Sequence, residues 1–351
     1  MQKKELPGAV RWAGRVLGVL LWTVFLLVLL LFGLVWVMER GPSPTVTEIF
    51  CRSLKETSAL KWVPGIFRSE EELEALAAGE TAADETEAMN VSLIHIAAAA
   101  PSAAENAAED GAEELPDLEV IDIKGGTYKG KLMIVRDPKR VIVGTSDNLG
   151  RQGGLKLPQL VEKYDGIAGI NGGGFNDESG RGDGGTPQGL VITDGKIVYG
   201  SAASRYSVVG LDADGILIVG KMTAQEALDQ GVLWAVSFNL HGAINGALVV
   251  NGEIQTQNLP SGINPRTAIG QREDGALLLL VLDGRSVDTL GATLKDVCDV
   301  MLEYGAVNVG NLDGGSSSVM VYDGEIINTV ASVTGNRYIP TGFIVLREGS
   351  D

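Results

Sequence analysis

Histidine and cysteine are scarce in this chain: His95 and His241, Cys51 and Cys298 are the only ones among 351 residues. No CxxC pair and no His-rich cluster exists, which excludes a zinc or iron–sulfur centre built on such spacing. A Ser-His-Asp hydrolase is disfavoured as well, because the C-terminal part holds one histidine and no GxSxG elbow. GxxxxGK[ST] is absent, so no P-loop is present. Basic residues are few, 28 Lys and Arg against 45 Asp and Glu, and they form no stripe. That argues against a nucleic-acid partner, since phosphate backbones are held by clustered cations. Outside a membrane a Cys51–Cys298 disulfide is chemically available; two separate thiols is the simpler reading.

Long apolar runs are also rare, with one exception. Val16–Met38 is a stretch of 23 uncharged residues, enough to cross a hydrocarbon core of ~30 Å as one transmembrane helix. Trp12 and Trp36 lie near its edges, where indole rings favour the interface. Lys3, Lys4, Arg11 and Arg15 precede it, against Glu39 and Arg40 after it. This asymmetry predicts a single-pass protein of the cell membrane, with its N-terminus in the cytoplasm and the rest outside. A cleaved signal peptide would carry a shorter apolar core and a small-x-small site; Val-Trp-Val-Met-Glu-Arg is a poor one.

Three parts follow from composition. Residues 1–40 are the cytoplasmic tip and anchor. Residues 41–117 read as an acidic, low-complexity tether. Between Ser69 and Glu119 lie 15 acidic residues and no Lys or Arg, nearly the whole of the net charge of −17. Such a composition buries too little apolar surface to offset chain entropy, which predicts disorder from Ala77 to Asp117. Glu70–Leu76 carries a short helical pattern, and Val91–Ile96 reads as a hydrophobic interruption. Residues 118–351 hold the globular domain.

From Leu118 onward β-branched runs alternate with Asp-Gly and Asn-Gly turns, at Asp194-Gly195, Asp214-Gly215, Asn251-Gly252, Asp274-Gly275 and Asp323-Gly324. These dipeptides supply the positive φ angles of tight hairpins. Helical patterns are sparse: Leu157–Tyr164, Thr223–Asp229 and Thr293–Gly305. In the last, Thr293 can cap the start and Gly305 the end, and Leu294, Val297, Cys298, Met301 and Leu302 share one face. Cys298 is therefore a core residue and not a nucleophile. The fold class is α+β, a β-hairpin-rich mixed sheet core with a few helices, preceded by the transmembrane helix.

Four segments place polar residues beside glycine where strands should end: Ile170–Asn176, Asn264–Gly270, Leu282–Arg285 and Val309–Ser318. Glycine lets a ligand approach backbone N–H groups, which can form anion nests. Arg266 and Arg285 offer planar, bidentate phosphate recognition. Asp283 and Asp313 offer carboxylates. Together they suit a phosphorylated, sugar-like substrate. The competing reading has both aspartates in turn hydrogen bonds and the arginines in ion pairs with them.

The ordered set NGGGF, PRTAIG, DGR, NLDGGSSS and Arg337–Phe343 resembles the phosphodiester glycosidase family, over roughly Ile167 to Val345. The family includes N-acetylglucosamine-1-phosphodiester alpha-N-acetylglucosaminidase-like domains and bacterial exopolysaccharide-related members. The resemblance implies hydrolysis of a sugar-1-phosphodiester in an envelope or extracellular glycan. Asp313 is then the first candidate for the catalytic carboxylate and Asp283 the second. Asn171, Gly172, Phe175, Arg266, Thr267, Arg285, Asn311, Gly314, Gly315 and Ser316 would bind substrate, with Gly314 and Gly315 donating backbone N–H groups. The alternative is a non-catalytic module that binds a polysaccharide or teichoic-acid-like polymer during exopolysaccharide assembly. No cofactor is expected, although Asp177, Glu178 and Asp183 carry the oxygen chemistry of a calcium site. The Asn176–Gly185 loop and Asn239–Asn245 depart from the family pattern, and both could reshape the pocket.

Overall fold

The computed structural model describes residues 8–57, 60–78, 88–96, 116–151, 153–176, 183–238, 246–255, 259, 261–332 and 335–349. Elements are numbered along the chain. Helix α1 (Gly8–Arg40) contains the apolar run, whose Leu, Val, Phe and Trp side chains stay exposed, as in Leu30 and Trp22. It is the one described helix long and apolar enough to cross a membrane.

Three further helices lie inside the stretch expected to be a tether: α2 (Pro44–Lys55), α3 (Pro64–Phe67) and α4 (Glu70–Ala78). Ser43 caps α2 through the Val46 N–H, with Pro44 in the first turn. The acidic first turn of α4 favours the helix dipole. Their order rests on contacts that composition does not show. Cys51 and Arg52 of α2 are buried, and Arg68 donates to the buried Glu39 carboxylate at 2.7 Å. Farther on, Ile94 is buried, Asn90 N donates to Asn251 Oδ1, and His95 N donates to Glu273 O. The Ala88–Ile96 part of the expected disorder is thus docked on the body; residues 79–87 and 97–115 lie outside the described ones.

The body is α+β, and every described strand pairing is antiparallel. The largest sheet runs β1 (Leu118–Lys124), β2 (Lys129–Val135), β14 (Leu277–Leu282), β13 (Arg266–Arg272), β15 (Ala306–Asn311), β11 (Ala247–Val250), β12 (Glu253–Ile254). A second runs β7 (Lys196–Tyr199), β6 (Val191–Thr193), β10 (Val232–Ser237), β8 (Arg205–Asp212), β9 (Leu217–Thr223). A third runs β17 (Glu325–Ile326), β16 (Met320–Tyr322), β5 (Gly166–Asn171), β19 (Thr341–Leu346), β3 (Val141–Thr145), and β18 (Tyr338–Ile339) pairs with β4 (Leu155–Lys156).

One core is shared by the inner faces of the three large sheets. Each outer face is covered by one helix: α7 (Leu294–Glu303) on the first, α6 (Ala224–Asp229) on the second, α5 (Leu157–Lys163) on the third. Strand β14 shows the consequence for sequence. Leu277, Leu279 and Val281 enter the shared core, while Leu278, Leu280 and Leu282 face α7, so the strand is apolar at every position. Cys298 and Cys51 are both free and buried, and burial pushes their thiols up to about 12 and about 11.

Antiparallel pairing places the end of β14, the start of β13 and the end of β15 on one edge of the first sheet. The end of β5 arrives there from the third sheet. All four glycine-flanked segments therefore converge.

Candidate functional site

Asn171, at the end of β5, ties the segments together. Its Nδ2 donates to Asp313 O at 2.6 Å. Its Oδ1 accepts from Thr267 Oγ1 at 2.9 Å and from Val319 N at 3.1 Å. Thr267 Oγ1 also reaches Ser318 Oγ, and Asp313 N donates to Gly172 O. Asn171 and Thr267 are both buried. Their polar atoms are spent on holding the Asp313 loop, a positioning role.

The loop after β15 packs closely on the start of β13. A Cβ on Gly314 would lie 2.7 Å from Pro265 O. Gly315 has φ +64° and donates its N–H to Pro265 O, so that N–H is engaged within the protein. The Arg285 guanidinium lies 3.4–3.5 Å from where a Gly315 Cβ would stand. Arg285 itself holds a left-handed backbone, φ +56°, sparsely populated by residues of its size.

Next to this loop, Gly262 N, Asn264 Nδ2 and Arg266 Nη2 point at one place. A carboxylate fills it: Glu56, just past α2, accepts from the three at 2.7, 2.7 and 2.8 Å. Arg266 is buried and also donates to Ala292 O. Arg285 Nη2 donates to Asn264 Oδ1 at 2.6 Å, which fixes the amide so that Nδ2 faces Glu56, and to Thr57 Oγ1 at 3.0 Å. Arg285 as a residue is exposed, but its guanidinium is packed among these groups. Desolvation and then the Arg266 charge lower its pKa, while Glu56 and Asp313 oppose them. Two cations and a set of aimed donors make an anion cradle, and the Asp313 charge is felt at Arg285.

Asp283 stands in different surroundings. It is buried and accepts from Asn328 Nδ2 at 2.9 Å and Thr329 N at 3.1 Å. It lines a shallow pocket of about 300 Å³ with Lys129, Ser286, Val287, Asp288, Thr289 and Thr329. Desolvation raises its pKa above the usual 3.8 against those hydrogen bonds. Phe175 is buried in the core beside α5, with the Arg337 guanidinium 5.1 Å from its ring centre. Arg337 also donates to Ser316 Oγ at 3.2 Å. Asn311 is buried, and its Nδ2 has no partner among the described residues.

The sequence assigns the arginines to a phosphate, with ion pairs to Asp283 and Asp313 as the competing reading. The partner of Arg266 is Glu56, which no local motif marks. Asp177, Glu178, Arg181, His241 and the whole of Asn239–Asn245 lie outside the described residues, and of the calcium candidates only Asp183 is described, accepting from Gly185 N.

The phosphodiester glycosidase profile matches residues 164–346, which is 183 of the 351 residues and includes all four converging segments, while α2 and Glu56 lie outside it. The chain belongs to the phosphodiester glycosidase family. Among its relatives in that family is an N-acetylglucosamine-1-phosphodiester alpha-N-acetylglucosaminidase of Homo sapiens, 28% identical over 176 residues. That alignment covers 44% of this chain and 32% of the human protein. An SPbeta prophage-derived uncharacterized protein of Bacillus subtilis (strain 168) is 27% identical over 205 residues, 56% of this chain and 30% of that one. The chain spans about a third of the length of the curated relatives it matches. The solved catalytic domain of the zebrafish enzyme, described as auto-inhibited by its pro-peptide, shares the fold: TM-score 0.55 and 24% identity, covering 68% of this chain and 86% of that one.

Proposed function

We propose that this phosphodiester glycosidase-family chain hydrolyses the bond between a sugar's anomeric carbon and a phosphate diester. The observation that carries the reading is the cradle of Gly262, Asn264, Arg266 and Arg285, which holds an anion beside the Asp313 loop. In this reading the Glu56 carboxylate stands in for the substrate phosphate. A departing phosphate monoester is a weak base and needs charge stabilisation more than a proton, which Arg266 and Arg285 would supply. Asp313 would attack the anomeric carbon or take a proton from the attacking water. The C1–O bond to phosphate breaks and a new C1–O bond forms, releasing free sugar and a phosphate monoester. Asn171 and Thr267 hold the Asp313 loop in place. Glu56, just past α2, would then occupy the cradle in competition with substrate.

Helix α1 supports a retained anchor: Glu39 at its end is buried and bound to Arg68 by side chain and backbone, contacts that cleavage would destroy. With the charge asymmetry around Val16–Met38, the site would then face the outside, and the substrate would be an envelope or extracellular glycan.

The test is incubation of the full chain in detergent with N-acetylglucosamine 1-phosphodiesters. Wild type is expected to release free sugar. Asp313→Asn should cut turnover on the order of 10³-fold or more while leaving substrate affinity nearly unchanged. Binding without any cleavage by wild type would overturn the reading in favour of a glycan-binding module.

A further inference from the structure

We propose that residues Leu60–Phe67 are an interfacial membrane-docking segment that holds the candidate site at the bilayer surface, and that the substrate is a sugar phosphodiester whose other end is a lipid in that bilayer. The substrate half of this rests on the hydrolytic reading above; the docking half does not.

The placement follows from how the segment is fastened to α1. The Phe67 ring lies 5.3 Å from the ring of Phe32, which is well inside the apolar run. Phe32 precedes Arg40 by eight residues, roughly 12 Å along the helix axis. On the polar side, Arg40 donates to both Glu72 oxygens, at 2.6 and 2.7 Å, and its Nε donates to Phe67 O at 2.8 Å. Arg68 binds Glu39 and the α2 backbone at Thr47. The α3 turn is thus clamped alongside the last turns of α1, at the depth where an anchored helix leaves the hydrocarbon.

What this segment shows to the surroundings fits that depth. Trp62 is 63% exposed, Ile66 54% and Leu60 43%, with Lys61 between two of them. Exposed indole and aliphatic side chains beside a cation are the composition of the bilayer interface. The Phe32–Phe67 contact joins this surface to α1, whose apolar side chains are largely exposed. Lipid is the occupant that would cover both.

The same unit reaches the site. Ser53 Oγ accepts from Ile263 N at 2.8 Å, Glu56 fills the anion cradle, and Thr57 touches Arg285. Thr57 precedes Leu60 by three residues, which span at most about 10 Å. A site that close to the interface meets phosphates carried on lipids at high local concentration, an effective-concentration gain that requires no new contact.

Two measurements test this on the full chain in phosphatidylcholine vesicles. The first is independent of activity: Ile66→Cys labelled with an environment-sensitive fluorophore, with Val198→Cys, on the β6–β7 hairpin, as control. The label at 66 should be quenched by nitroxide lipids and shielded from aqueous iodide, and the label at 198 the reverse. Iodide quenching alone at 66 would overturn the docking segment whether or not the protein is an enzyme. The second compares one sugar-1-phosphodiester on a short water-soluble alcohol with the same group on a long-chain lipid alcohol in the vesicles. The lipid substrate should be cleaved at least tenfold more efficiently. Leu60→Ser with Trp62→Ser and Ile66→Ser should remove that advantage and leave soluble-substrate cleavage unchanged. Equal cleavage of both substrates by wild type would overturn the lipid-substrate half and leave the hydrolytic reading standing. Cleavage of neither would overturn the hydrolytic reading, and the lipid-substrate half with it.

Discussion

Glu56 and Arg266 form a buried ion pair, with side chains 7% and 5% exposed, in which the carboxylate uses donors that a substrate phosphate would need. Neutralising the carboxylate while keeping its shape separates occupancy from packing. Glu56→Gln should lower KM for a soluble sugar phosphodiester about tenfold, equivalent to ~1.4 kcal/mol, with kcat little changed. Initial-rate kinetics decide it; an unchanged or higher KM would show that Glu56 does not compete with substrate. Asp283 calls for a different experiment. Its folded pKa is raised by desolvation, so the folded state binds a proton more readily than the unfolded chain does. Its ionisation therefore costs stability as pH rises through the window above 3.8, and below that window the cost vanishes. Asp283→Asn keeps an acceptor for Asn328 and Thr329 and removes the charge. The Tm at pH 7 should rise, and the gain should shrink toward zero as pH falls to 4. Melting curves across that range are the check.

At the scale of elements, α7 joins the end of β14 to β15 and so spaces the Arg285 segment from the Asp313 loop. Its start is a reciprocal cap: Thr293 Oγ1 accepts from Asp296 N, and Asp296 Oδ2 accepts from Thr293 N at 2.7 Å. Ser261 Oγ takes the Leu294 N–H as well. Thr293→Ala should cost about 1 kcal/mol, lowering the Tm by roughly 2–4 °C, and Thr293→Ser should restore most of it. A loss below 0.3 kcal/mol by denaturant titration would mean that Ser261 and packing alone secure the helix end. The hairpins are similarly local. Asp194-Gly195, Asn251-Gly252 and Asp323-Gly324 each have positive φ at both residues, the geometry of a two-residue turn that matches strand twist.

Across the whole molecule, the N-terminal third is not a passive spacer in its described parts. Met89 packs against the shared core, Ile94 is buried, and Asn251 binds the Ala88–Asn90 backbone from both sides of its amide. Ile94→Ala should therefore cost about 2 kcal/mol, the low end for burying an aliphatic side chain of this size. A change within 0.3 kcal/mol would return this segment to the status of a free tether.

Much of this protein could be read from sequence because its determinants are local. Thr293 and Gly305 bound α7, the Asp-Gly and Asn-Gly dipeptides set hairpins, and the uninterrupted apolarity of Val16–Met38 marks α1, each through the conformational preferences of a few neighbouring residues. The ordered glycine-flanked motifs likewise pointed to the family, since each sits at a strand end. Long-range pairing was beyond that reach. Glu56 meets Arg266 across 210 residues, from a stretch whose composition reads as a tether, and nothing near it in the chain encodes the meeting. Asp283 and Asp313 have alike Asp-Gly contexts, yet one is buried beside Asn328 and Thr329 while the other lies where its charge acts on Arg285. Sequence alone determined which segments turn, which cap and which are apolar. Only tertiary packing decided which carboxylate fills the anion cradle, because burial and electrostatic partnership depend on distance in space and not along the chain.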